Sequence, residues 1–154
     1  LIIYFKMGDN LGLGRAGADG VRVFALLAAI TLVLFTILLL VFWLFDYSLL
    51  AHLAAPPWLS GLAGLLLMVL LAPVVEELLF RGLIFRLLRQ SFGMLLSVLL
   101  SAGCFALMHG QPEWPQIFGG LVFALAYEWS RNLWIAIALH AAGNTAILLF
   151  ALLN

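Results

Sequence analysis

Two adjacent carboxylates and an arginine stand in a stretch that is otherwise almost entirely apolar: Val74-Val75-Glu76-Glu77-Leu78-Leu79-Phe80-Arg81-Gly82. The run before it, Gly61 to Ala72, carries no charge. A charged side chain at the centre of a bilayer costs about 2.5–3.5 kcal/mol on insertion scales, so three of them in one segment need a compensating role. In a helix, Glu77 and Arg81 are four residues apart and share a face, with the acid on the favourable N-terminal side. Glu76 lies about 100° around the axis. One arginine is poorly placed to neutralise both acids. Glu77 is therefore expected to be the paired acid, and Glu76 the one able to take a proton from water as a general base. The same residues also fit a purely structural role, a buried ion-pair network that locks helices together.

Two further polar insertions interrupt apolar runs. His109 ends Phe105-Ala106-Leu107-Met108-His109, and His140 and Asn144 bracket Ala141-Ala142-Gly143. His140 and Asn144 share a helix face at four-residue spacing. The small residues between them leave room for a neighbouring helix or a substrate backbone. Taken singly, each histidine fits a buried, hydrogen-bonded tie between helices. Taken together, Glu76, Glu77, Arg81, His109, His140 and Asn144 come from three apolar segments, and convergence on one cavity would satisfy them all. Such a cluster suits amide hydrolysis. A carboxylate or histidine can deprotonate water, and His and Asn side chains can donate to the oxyanion that develops on the carbonyl. No Gly-x-Ser-x-Gly and no His-Glu-x-x-His occurs, and Ser97, Ser101 and Thr145 have no special spacing.

The elements that position these residues must be membrane helices. Hydrophobic residues make up 66% of the 154 and charged residues only 9%, against roughly 25% charged in soluble domains. Mean hydropathy is +1.22. The expected fold is an all-α polytopic bundle of about five spanning helices, with the site buried between them. The net charge of zero gives no reason to expect a nucleic-acid partner; the bilayer and a peptide or protein substrate are the partners expected. A lone cysteine, Cys104, excludes an intrachain disulfide and reads as a small core residue.

Residues 1–20, rich in glycine, read as a cytoplasmic or interfacial segment. Because the chain begins at Leu1, its N-terminus is expected to be trimmed or incomplete, and no cleavable signal peptide is apparent. Residues 21–57 hold a first span, Val21 to Phe45, and a connection stopped by Pro56-Pro57, with His52 as an interfacial histidine. Residues 58–154 form the remaining core. There Pro73 is expected to kink or break the helix just before the glutamates. Further spans are expected at Gly93–His109, Gln116–Trp129 and Leu133–Leu153, with Gly110 to Pro115 as a loop and Gly119-Gly120 allowing close helix approach. Lys6, Arg15, Arg22, Arg86, Arg89 and Arg131 all fall on one side of this topology, which puts the N-terminus in the cytoplasm and the C-terminus outside. Glu128 and Arg131 read as a surface pair at the cytoplasmic end. Trp129 and Trp134 would mark that interface, Trp58 and Trp114 the opposite one. Counted from the cytoplasmic charges at about 1.5 Å per residue, Glu76 lies some 15 Å deep, while His109 comes out nearer 24 Å.

Glu-Glu-x-x-x-Arg at Glu76, Glu77 and Arg81, Phe-x-x-x-His at Phe105 and His109, and His-x-x-x-Asn at His140 and Asn144 resemble, in order, the motifs of the CPBP intramembrane proteases. That family includes the CAAX prenyl endopeptidases and the bacterial Abi-type, lysostaphin-resistance-like proteins. The resemblance covers residues 58–154. It implies an endopeptidase acting at or within the membrane. By it, Glu76 activates water with help from His109, His140 and Asn144 donate to the oxyanion, Glu77 and Arg81 are the supporting pair, and Phe105 supports the site. The family has been described as metalloproteases, and a metal-free, glutamate-based mechanism is the other account; we favour the metal-free one, although Glu76, His109 and His140 could furnish three zinc ligands with an open position. With only about one helix before the core, the chain looks more like compact prokaryotic members of the cytoplasmic membrane than like enzymes of prenylated proteins. Peptide precursors, bacteriocin-related peptides or C-terminal sorting tails are the substrates this suggests. Two other readings are a non-catalytic membrane immunity or scaffold protein and a small ion or proton carrier. The lack of an inverted repeat counts against the carrier.

Overall fold

The computed structural model describes Gly12 and residues 17–44, 61–110 and 114–152. The expectations for Lys6, Arg15, His52, Pro56-Pro57 and Trp58 lie outside the described residues. The described residues form five helices: α1 (Ala18–Leu44), α2 (Leu62–Ser91), α3 (Met94–Met108), α4 (Trp114–Ser130) and α5 (Leu133–Leu152). Among them α2 is long and apolar enough on its own to cross a membrane, and α3 and α5 are shorter apolar helices.

Pro73 does not break α2. The helix runs through it, with α-helical turns interrupted by two π-helical stretches, Leu67–Leu71 and Leu78–Phe85. Proline lacks an N–H, and its ring collides with the carbonyl four residues back in a regular α-helix. Here the turn before Pro73 widens, and the Ala72 N–H donates to the Leu67 carbonyl, five residues back. That accommodates the proline without ending the helix. Pro115 departs from expectation in a similar way. It lies in the first turn of α4 rather than in the loop, where its missing N–H had no intrahelical partner to lose.

The long α2 also removes the mismatch in depth. The helix reaches Ser91, then turns at Phe92-Gly93 into α3. Glu76 and His109 each lie fifteen residues from this turn, about 22 Å at helical rise. An antiparallel hairpin therefore sets them level.

The helices pack through small residues and aromatic rings. The Leu62–Glu77 half of α2 lies against α5, and the Leu78–Ser91 half against α3. Helix α4 packs on α1, α3 and α5. Gly120 marks a close approach between α3 and α4: a Cβ built there would sit 3.0 Å from the Ala102 Cα. The shared core includes Phe80, Phe85, Phe105, Phe123, Tyr127, Leu133 and Ile137. Cys104 is not in it; its side chain is exposed on α3, because the buried face of that helix is the Val98, Ser101, Ala102, Phe105 stripe.

Glu128 and Arg131 form more than a surface pair. Glu128 is buried and accepts from Arg131 Nη2 at 2.9 Å and from Arg89 Nη2 at 3.0 Å, so one carboxylate joins the end of α2 to the α4–α5 turn. Trp129 and Trp134 flank that turn, both about half exposed. Gly12 rests on the same turn, at a φ of +69°, and its carbonyl accepts the Leu133 N–H at 2.9 Å. A side chain at position 12 would run into the Arg131 carbonyl. Replacing Gly120 by valine should force α3 and α4 apart and cost about 1–3 kcal/mol. A thermal melt of the purified membrane protein should show the midpoint fall by several degrees, whereas Gly103→Val, with open space around it, should leave the midpoint unchanged.

Candidate active site

Arg81 fixes the geometry of the site. Its side chain is entirely buried in the bundle, as is that of Glu77 one turn earlier. Arg81 Nη1 donates to Glu77 Oε1 at 3.0 Å, and Nη2 donates to the Gly120 carbonyl at 2.8 Å. Only a residue that lets α4 come close can bring a main-chain oxygen there, and Gly120 is such a residue. The guanidinium is also enclosed by rings: its Cζ is 4.9 Å from the centroid of Phe105, 5.5 Å from Phe123 and 5.9 Å from Phe80. Contact with ring faces compensates part of the hydration a buried cation gives up.

The two glutamates have different surroundings. Glu77 Oε1 accepts a second hydrogen bond, from His140 Nδ1 at 2.9 Å. Glu77 is thereby held from its own helix and from α5. Glu76 has no such partner. Its Oε2 is buried and makes no hydrogen bond, yet it faces two imidazoles: His140 Nε2 at 3.8 Å and His109 Nε2 at 3.9 Å. The Glu76 side chain is 28% exposed and that of His109 33%, so this edge of the cluster is open while Glu77 is sealed.

Each imidazole is oriented by what its other nitrogen touches. His109 Nδ1 lies 2.8 Å from the Phe105 carbonyl. A carbonyl only accepts, so Nδ1 carries the hydrogen and the neutral ring turns the Nε2 lone pair toward Glu76. His140 Nδ1 likewise donates to the Glu77 carboxylate. These tautomers are assigned from the partner atoms. Phe105 meets both rings, tilted against His109 at 4.8 Å and edge-on to His140 at 5.5 Å. Asn144 lies one turn beyond His140, and its Nδ2 donates to the Met68 carbonyl of α2 at 2.9 Å.

All six polar residues singled out by sequence thus lie along one seam between α2, α3 and α5. Glu76, Glu77, Arg81, His109 and His140 form one connected cluster. Asn144 is placed beside it and is engaged with backbone. Phe123 was not legible in the sequence: it stacks on His140 with centroids 4.5 Å apart and planes 16° from parallel. Room for its ring comes from Gly119, where a Cβ would stand 3.1 Å from it. The only sequence signal is a glycine one turn before a phenylalanine, and that pattern has many other causes. The two backbone acceptors, at Gly120 and Met68, carry no side-chain signature.

The fit of a metal can be tested on the donors. Glu76 Oε2 and the two Nε2 atoms are of the right chemical type for zinc. Ligands at 2.0–2.1 Å around a tetrahedral ion stand about 3.4 Å apart, and the separations here are 3.8 and 3.9 Å. Among the described residues no group of three or more His, Cys, Asp or Glu side chains is arranged to hold a metal ion.

The Glu77–Arg81 pair yields a stability prediction. Glu77→Gln leaves Arg81 buried without an anion, which should cost about 3–5 kcal/mol. Adding Arg81→Met removes the orphaned charge and should recover part of the loss. Thermal melts of the two variants check this; equal melting points would show that the guanidinium does not depend on Glu77.

With the geometry in hand, similarity to known proteins can be placed on it. Residues 56–146 match the family model described as type II CAAX prenyl endopeptidase Rce1-like. The membrane-embedded CAAX protease MroQ of Staphylococcus aureus (strain USA300) is 32% identical over 93 residues, covering 55% of this chain and 38% of that protein. The chain therefore spans little more than a third of that relative's length. No solved structure matches. The matched region runs from before α2 into α5 and contains every residue of the polar cluster: the chain belongs to the Rce1-like, type II CAAX prenyl endopeptidase family of peptidases.

Proposed function

We propose that the chain is an intramembrane endopeptidase that hydrolyses a peptide bond in a membrane-associated substrate or its C-terminal tail. The observation that carries this reading is the convergence of Glu76, His109 and His140. Glu76 Oε2, buried and without a hydrogen bond, lies 3.8 Å from His140 Nε2 and 3.9 Å from His109 Nε2. A water donating to Glu76 and His109 answers that arrangement, since polar groups at such separations are commonly bridged. Its remaining lone pair would then be free to attack a carbonyl.

The residues take these roles. Glu76 accepts the proton of the attacking water, with His109 holding the water in line. Glu77 stays bound to Arg81 and orients His140. His140 is the first donor toward the oxyanion. Asn144 supplies the second donor. Proton transfer from Glu76 to the leaving amine completes hydrolysis. Phe105 keeps both imidazole rings in place.

The five helices serve as spans, with the N-terminus cytoplasmic. Residues 1–20 form the interfacial segment, 21–57 the first span and its connection, and 58–154 the catalytic core. The relative's name supplies CAAX tails as one candidate substrate for this chain; peptide precursors and sorting tails are the others. No step is routed through zinc, since the donor spacing does not fit it.

A proteomic comparison of cells carrying the wild type or Glu76→Ala tests the activity. An uncleaved membrane peptide should accumulate with Glu76→Ala. Identical peptide profiles would leave the immunity or scaffold reading in its place. With the substrate in hand, activity of purified protein should survive a chelator. Loss of activity, restored by stoichiometric zinc, would overturn the metal-free mechanism.

A further inference from the structure

Asn144 does not reach the acid cluster directly. It reaches the Met68 carbonyl on α2, and that carbonyl lies five residues before Pro73. In an α-helix the donor to Met68 would be the N–H of Ala72. That N–H is committed to Leu67 instead. In the widened π register the donor would be the residue at position 73, and proline has no N–H to give. Both regular partners of the Met68 carbonyl are therefore withdrawn, one by the register shift and one by the proline. A main-chain carbonyl inside a membrane bundle needs a donor, and the Asn144 side chain supplies it at 2.9 Å.

We propose that Pro73 is a positioning residue for the reaction: it creates the acceptor at Met68 that orients the Asn144 amide. An asparagine amide can turn either its oxygen or its nitrogen toward a given neighbour. An acceptor at Met68 settles the choice, drawing Nδ2 to it. The second N–H of that nitrogen then remains for the substrate oxyanion, and the amide enters the reaction already fixed in orientation. Fixed donors of this kind need no rearrangement as charge develops. The inference rests on Asn144 being an oxyanion donor, as read above, but its physical core is the coupling between position 73 and Asn144.

A double-mutant cycle on this chain in detergent or lipid nanodiscs separates the coupling from the proposed function. Pro73→Ala introduces a better helix former and restores an N–H, so the variant is not expected to fail in folding. With Pro73 present, Asn144→Ala strands the Met68 carbonyl and should lower the melting midpoint by about 3 °C. With Ala at 73, the backbone can satisfy Met68, and Asn144→Ala should lower the midpoint by less than half as much. Additive shifts would overturn the proposal, and this readout does not depend on any peptidase activity. For turnover of the cleaved peptide, Pro73→Ala should lower kcat about tenfold with KM nearly unchanged, the signature of a donor felt in the transition state. The double variant should be no slower than Asn144→Ala alone. Independent, multiplying losses in kcat would also overturn it. A non-additive melting cycle in a chain with no peptidase activity would uphold the coupling and refute the proposed function instead.

Discussion

A guanidinium with no access to water constrains everything around it. Arg81 sits in a bundle of Leu, Phe and Ala, and an uncompensated cation there would unfold the site. Its needs are met from three directions: an anion on its own helix, a main-chain oxygen on α4, and rings on α2, α3 and α4. Each supplier then fixes something else. Glu77, held by Arg81 through Oε1, grips His140 with that same oxygen. Gly120, whose carbonyl serves Arg81, also sets the distance between α3 and α4. Phe105 and Phe123, drawn to the guanidinium, wedge the two histidines. The buried pair is weak support for stability in itself; its value lies in the positions it dictates.

The division between the two glutamates follows from the same constraint. Adjacent residues on a helix point about 100° apart, so only one of them can meet Arg81. The other turns to the open edge, toward the Nε2 atoms of the imidazoles on α3 and α5. A chemically symmetric Glu-Glu dipeptide thus becomes one sealed carboxylate and one at an open edge. Sealing a charged pair beside an unpaired acid is an arrangement that a merely structural tie between helices would not require.

Much of this was legible in the sequence because helical spacing is rigid. The Glu77–Arg81 pair, the shared face of His140 and Asn144, and four of the five helix positions follow from period and composition. Pro73 was legible as a disturbance but not as the kind it causes. Sequence rules give the loss of an α-helical bond; they do not say that a widened turn will absorb it. The level at which Glu76 meets His109 comes from the other end of α2, which runs to Ser91 before turning into α3. Glu128 looked like a surface acid because Arg131 is three residues away, whereas its second partner, Arg89, is distant in sequence. Phe123, Met68 and Gly120 act through ring faces and main-chain oxygens, and neither leaves a pattern that one sequence can reveal.

The central claim is that Glu76 does chemistry while Glu77 holds the site together. Turnover per folded molecule, measured side by side for Glu76→Gln and Glu77→Gln, tests it most directly. The account predicts that Glu76→Gln melts like the wild type and cleaves nothing. It predicts that Glu77→Gln melts earlier and that the fraction remaining folded still cleaves, though slowly. An active Glu76→Gln beside a stable but inert Glu77→Gln would contradict it, and would assign the two carboxylates the opposite roles.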